Sequence, residues 1–196
     1  MSSRNLRKLG LCGLIAPPLA FTCIFLSVHL SPSFGWMENA LSDLGVGKTA
    51  PLFNLGLMVT GLLLFIFSLS SLFVIRESSG QFASLLLGLD SLALFCIGLF
   101  PESYGDLHFW VSVLFFLLFP FVPLSFSLFF WKKGMKRGSL LSLFFSFLPG
   151  IPWVYRWRGL AIPETLSSCI ASAYVMALSL LFYLGKPPYH SEGVEQ

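Results

Sequence analysis

The chain has 196 residues, of which 56% are hydrophobic and only 11% charged, with a net charge of +3. A soluble domain carries about a quarter charged residues and must keep a solvated exterior, so this composition excludes a soluble globule and makes lipid the solvent. The basic residues fall in short clusters between apolar runs, which suits orientation in a membrane rather than binding of nucleic acid.

A spanning helix needs about 20 mostly apolar residues. The first such run, Leu9 to Leu30, follows Arg4, Arg7 and Lys8. It is too long for a secretory signal core and lacks a small-residue cleavage site, so it reads as a retained anchor. Pro17 and Pro18 should kink it.

A polar stretch follows, WMENALSDLGVGKT, from Trp36 to Thr49. Leu41 and Leu44, with Trp36, Met37 and Ala40, recur at helical spacing, while Asn39, Ser42 and Asp43 share the opposite face. Gly45 and Gly47 should stop the helix. This predicts a short helix in the membrane interface, a lid with Trp36 at headgroup depth. GVGKT is no phosphate loop, because Ser42 stands where the first glycine is required. No nucleotide is expected.

Asn54 opens the second span, Leu52 to Ile75, and the third, Phe82 to Phe100, carries Asp90 near its middle. A carboxyl at that depth is a functional candidate by default. Thr60 and Tyr174 reach a similar level, so a hydrogen bond from Asp90 to one of them is expected. Phe109 to Trp131 is the fourth span, Ser139 to Tyr155 a shorter fifth interrupted by PGIPW, and Leu166 to Leu184 the sixth. Pro149, Gly150 and Pro152 cannot all sustain helical hydrogen bonds, and broken backbone at membrane depth survives where protein or a wet cavity covers it. The tail beyond residue 186 reads as disordered. Cys12, Cys23, Cys96 and Cys169 all sit in apolar runs, with no disulfide or zinc spacing.

The predicted fold is therefore all-α, a polytopic membrane bundle of six transmembrane helices with a short outer interfacial helix. The spans are about 9–30, 52–75, 82–100, 109–131, 139–155 and 166–184, followed by a cytoplasmic tail at 187–196. With a cytoplasmic N-terminus, Arg4, Arg7, Lys8, Arg76, Lys132, Lys133, Lys136, Arg137 and Lys186 lie inside, against only Lys48, Arg156 and Arg158 outside. That asymmetry predicts a multi-pass plasma-membrane protein with both termini cytoplasmic.

The same orientation gathers His29, Glu38, Asp43, Asn54, Glu102, Asp106, His108, Arg156, Arg158 and Glu164 at the outer face. An outward pocket is the expectation. Asn39, Ser42 and Asn54 would orient a ligand, and the guanidinium groups of Arg156 and Arg158 would hold its anionic group. His108 would serve as a base, with Asp43 or Glu164 as its partner or as a metal ligand. An ion pair between Asp43 and Arg156 or Arg158 would instead be a structural clasp.

Asn39-Ala-Leu-Ser-Asp-Leu-Gly45, then Asn54-Leu-Gly56, Phe100-Pro101 with His108, and Arg158-Gly159 with Glu164 resemble the archaeal and bacterial membrane family called domain of unknown function 998. Where that family has a Glu-Arg pair, this chain has Glu164-Thr165, so no arginine role carries over there. The resemblance implies six transmembrane helices and brings no established activity. A weaker similarity, to the six-span eukaryotic family that includes a GPI-anchor remodelling factor and autophagy modulators, hints at lipid handling.

Three functions compete on this reading. The first is a pocket that binds or remodels a lipid head group or small amphiphile, as a hydrolase or transferase if it is an enzyme. The second is a non-catalytic subunit or assembly factor that meets another membrane protein. The third is a redox protein in which His29 and His108 ligate one haem. The cofactor, if any, is unknown.

Overall fold

The computed structural model describes residues 3–186, with side chains from Asn5 onward, so the expected tail at 187–196 lies outside the described residues. Among the described residues all regular structure is helical. The α-helices are α1 (Ser3–Lys8), α2 (Gly10–His29), α3 (Ala50–Val74), α4 (Ser78–Leu99), α5 (Asp106–Leu118), α6 (Phe121–Lys132), α7 (Lys136–Phe147) and α8 (Ala161–Tyr183).

Five helices, rather than the six expected, are long and apolar enough to cross a membrane: Asn5–His29, Gly47–Val74, Ser78–Leu99, Asp106–Lys132 and Ala161–Tyr183. The chain is a multi-pass membrane protein on that evidence. The missing member is the 139–155 segment. There α7 stops at Phe147 and the chain continues as 3-10 turns over Leu148–Val154. Proline lacks the N–H that an α-helix needs, and Pro149 and Pro152 both lie within this turn. The freed carbonyls find other donors: the Ser167 hydroxyl donates to the Pro149 carbonyl at 2.7 Å, and the Trp157 indole donates to Pro152 at 2.8 Å. Pro120 similarly interrupts the fourth span between α5 and α6. Pro17 and Pro18, by contrast, are absorbed within the continuous helix α2.

The packing closes a ring. Helix α2 lies between α3 and α8, α4 lies between α3 and the α5–α6 pair, and α7 with its 3-10 continuation joins α6 to α8. One core cluster, near the α1 end, gathers Phe67, Phe126, Phe129 and Phe182. A second, at the other end, gathers Ile24, Leu41, Leu44, Phe53, Leu57 and Ile97. Hydroxyl groups tie helices together in the interior, where water is absent. Ser71 meets Ser84 at 2.9 Å, and Tyr174 donates to Ser142 at 3.0 Å.

Glu77 caps α4. Its carboxyl accepts hydrogen bonds from the Ser79 hydroxyl and, at 3.0 Å, from the Gly80 N–H, and it pairs with Lys132 at 3.2 Å. Burial works to raise its pKa, but these hydrogen bonds outweigh it and hold the group down to about 2. This is the one ion pair among the described residues.

Candidate functional site

The short interfacial helix expected over Trp36 to Leu44 does not form. Its place is taken by turns and a five-residue 3-10 segment, Leu41–Gly45. Asn and Asp side chains compete with helical hydrogen bonding by binding nearby backbone N–H groups, and here they do so in series. The Asn39 amide oxygen accepts the Gly35 N–H at 2.9 Å. The Asn39 amide nitrogen donates to Asp43 Oδ2, which also accepts the Ala40 N–H at 3.1 Å. Leu41 and Leu44 are buried in the bundle, so the loop plugs into the ring instead of lying flat on its surface.

Two distant segments clamp this loop. Glu164 Oε2 accepts the Leu41 N–H at 2.7 Å, and the Ala161 N–H donates to the Asn39 carbonyl at 2.9 Å. Gly159 makes the second contact possible: a Cβ there would lie 2.5 Å from the Asn39 carbonyl oxygen, against backbone that has no room to yield. On the other side the Asn54 amide donates to the Gly45 carbonyl at 3.0 Å. Asn54 and the 159–164 segment thus hold the loop from opposite sides.

Three carboxyl groups meet at this end. Glu102 lies against Asp43 and Ser42, and Glu164 is near enough to Asp43 and Glu102 to feel their charge. Although Glu102 is exposed as a residue, its carboxyl is pushed up to about 7. Desolvation contributes most, a hydrogen bond and like-charge repulsion from Asp43 add to it, and a hydrogen bond from Ser42 opposes them. The folded chain therefore keeps this proton up to about 7, whereas the unfolded chain releases it near 4.5. Stability from this group is present below 4.5 and is lost as pH rises to about 7. Thermal unfolding across that range should show the decline, and Glu102→Gln should flatten it. An unchanged slope in the variant would separate Glu102 from the effect.

Beside the carboxyl groups is a small cleft, lined by the polar side chains of Ser42, His108, Ser112 and Glu164 and elsewhere by residues such as Leu57, Leu94 and Phe115. His108 is buried in the first turn of α5, with its Nδ1 2.7 Å from the Phe100 carbonyl. A carbonyl only accepts, so Nδ1 carries a proton, and Nε2 lies beside Ser112 Oγ at 3.4 Å. Next to it lies a mostly apolar pocket that shares Ile24, Leu57, Leu94, Phe115 and Ser168 with the cleft and is also lined by Asp90. A smaller pocket shares Phe115 and Ser168 with both and is also lined by Pro149 of the broken segment.

These contacts join Asn39, Ser42, Asp43, Gly45, Asn54, Phe100, His108, Gly159 and Glu164, the residues that carry the motif resemblance. The family described as protein of unknown function (DUF998) matches residues 14–181. The chain belongs to this family. Comparison with the curated proteins and with the solved structures finds no match. The DUF998 motif residues thus build one end of the bundle, mostly through hydrogen bonds to backbone.

Other expected site residues fall outside this assembly. Arg156 and Arg158 are exposed, line neither cavity and form no ion pair with Asp43, so the expected clasp is absent. Glu164 is followed by Thr165, which donates back to the Ala161 carbonyl at 2.6 Å. His29 is exposed at the end of α2 and does not line the His108 cleft. Among the described residues no group of three or more His, Cys, Asp or Glu side chains is placed to hold a metal. Asp90 does not bond to Thr60 or Tyr174 as expected. Thr60 donates to Gly56 at 2.7 Å, Tyr174 turns to Ser142, and Asp90 Oδ1 has no partner. Helix pitch explains this: level along the axis does not set direction around it.

Sequence reading missed Ser112 and Ser168, which line the cleft one turn beyond His108 and Glu164. Their i+4 spacing was the available signal.

Proposed function

We propose that this chain binds a small amphiphile, such as a membrane lipid, inside the helical ring. The observation that carries the reading is that the two pockets share the wall residues Ile24, Leu57, Leu94, Phe115 and Ser168. A polar mouth of Ser42, His108, Ser112 and Glu164 passes into an apolar cavity, an arrangement that matches a head group joined to a chain. On the charge asymmetry of the loops the mouth faces outward across the plasma membrane, with both termini cytoplasmic. In this reading α7 and the 148–154 turns complete a sixth crossing, and the loop at 36–49 lies at the interface as a lid.

The arginine clamp expected for an anionic head group is set aside, because Arg156 and Arg158 stand away from both cavities. Orientation of the head group falls to Ser42 and Glu164, with the loop positioned by Asn39, Asp43 and Asn54. The placement of His108 Nε2 beside Ser112 also favours proton transfer to or from a bound ligand, the remodelling form of the same function.

The test is extraction of the molecules retained by the purified chain in lipid nanodiscs, followed by mass spectrometry. The expected result is selective enrichment of one amphiphile class, abolished in Ser168→Trp, where the larger side chain fills the wall shared by both cavities. Retained lipid with the composition of the surrounding bilayer, in both proteins, would defeat the proposal.

A further inference from the structure

Among the described residues Asp90 is the one carboxyl group that is fully buried, 4% exposed; it lines the apolar pocket, and its Oδ1 has no hydrogen-bond partner. Buried polar groups are nearly always satisfied, so such an atom calls for an explanation. From this placement, and resting on the reading of the cleft above, we infer that the ligand is a lipophilic amine whose ammonium group is held by Asp90.

Charge selects this class. Among the described residues neither pocket wall contains a Lys or Arg, while one wall holds Asp90 and the other Glu164. An anionic ligand would meet no compensating charge at either station. An ammonium carries only donors, which suits an acceptor without a partner. The Thr60 hydroxyl, whose hydrogen is committed to Gly56, keeps lone pairs for a second N–H. Phe21, Phe115 and Phe119 line the same cavity, and aromatic faces attract a desolvated cation. A bare metal ion fits poorly, since one carboxyl and one hydroxyl are too few ligands.

The path follows the same walls. Ile97 borders the upper cleft and Asp90 the lower cavity on one helix, seven residues apart, which is about 10 Å along the axis at 1.5 Å per residue. An amine entering at the mouth passes Glu164 before it reaches Asp90.

The deciding experiment is equilibrium dialysis of radiolabelled dodecylammonium and dodecanol against the protein in nanodiscs, with uptake by empty nanodiscs subtracted. The two probes share a chain and differ in charge. Wild type is expected to bind the ammonium at least about tenfold more tightly, as a charge-assisted hydrogen bond implies. Asp90→Asn should lose that preference while still binding dodecanol, and Asp90→Glu should retain it. A preference that is absent in wild type, or that survives in Asp90→Asn, overturns the assignment to Asp90 and leaves the cleft reading standing. Failure of wild type to bind either probe above empty nanodiscs, or equal binding by Ser168→Trp, overturns the cleft reading and this inference with it.

Discussion

Gly61→Ala is expected to lower the unfolding temperature of the detergent-solubilised protein by several degrees. A Cβ at this position would lie 2.7 Å from both the Phe95 nitrogen and the Ser91 carbonyl oxygen, and 2.9 Å from the Phe95 Cα. Those atoms are the backbone of α4, which has no rotamer to change, so α3 and α4 must move apart. Close approach at small residues supplies much of the attraction between helices in lipid, where no hydrophobic effect drives them together. Overpacking of this kind costs about 1–3 kcal/mol, at the upper end here because backbone is the obstacle. The same displacement would shift Leu57, Thr60 and Leu64 relative to Leu87, Asp90 and Leu94, two of the walls of the deep pocket, and so weaken the proposed amphiphile binding. Gly150→Ala is the matched control, because an added Cβ there meets nothing within 4 Å. Equal stability of Gly61→Ala and wild type would show that the α3–α4 contact has more room than the geometry gives it.

The second large effect is expected at Asp43→Ala. Asp43 Oδ2 gathers the Asn39 amide and the Ala40 N–H, so its loss leaves two donors unsatisfied at once. Each costs about 1–3 kcal/mol when buried, and somewhat less here because the contacts are only partly buried. The Leu41–Gly45 turn then loses one of its anchors while Glu164 still holds Leu41, and Ser42 no longer keeps its place in the cleft. Hydrogen exchange should show faster exchange at the Ala40 and Leu41 amides, accompanied by loss of retained amphiphile. Asp43→Asn keeps one acceptor oxygen, and because both donors meet at Oδ2 that oxygen can accept them both, so this variant should largely restore the turn. Arg158→Gln, in contrast, should leave exchange and retention unchanged. If Arg158→Gln matched the Asp43→Ala phenotype, the ion-pair clasp expected from sequence would return as the better account.

Both results turn on contacts between segments far apart in the chain, and the limit of sequence reading falls at the same place. The apolar runs around Leu9–Leu30, Leu52–Ile75, Phe82–Phe100, Phe109–Trp131 and Leu166–Leu184 were legible because a bilayer imposes length and composition on each helix separately. The break at Pro149–Pro152 was legible for the same local reason, a missing N–H. The motif residues Asn39, Asp43, Asn54, His108 and Glu164 named the family, and that assignment holds over residues 14–181.

The errors were of another kind. Helical spacing in Trp36–Leu44 suggested an amphipathic helix, yet Asn39 and Asp43 satisfy backbone donors and hold the segment in turns. Counting from span ends placed Asp90 level with Thr60 and Tyr174 but could not give direction around the helix, and both hydroxyls turned elsewhere. Charge complementarity paired Asp43 with an arginine, whereas the exposed arginines stay in solvent, where an ion pair gains little.

By itself, then, the sequence determined that this chain lives in lipid and where its five long apolar helices run, since both follow from local composition and length, while the family motif was legible as a resemblance. Only the tertiary structure decided that the polar residues of that motif serve the loop backbone first, that the pocket at Glu164 and His108 shares walls with the one at Asp90, and that Asp90 Oδ1 is buried without a hydrogen-bond partner. Those facts depend on how the helices are rotated and how closely they approach, which packing across the whole ring sets and no single segment encodes.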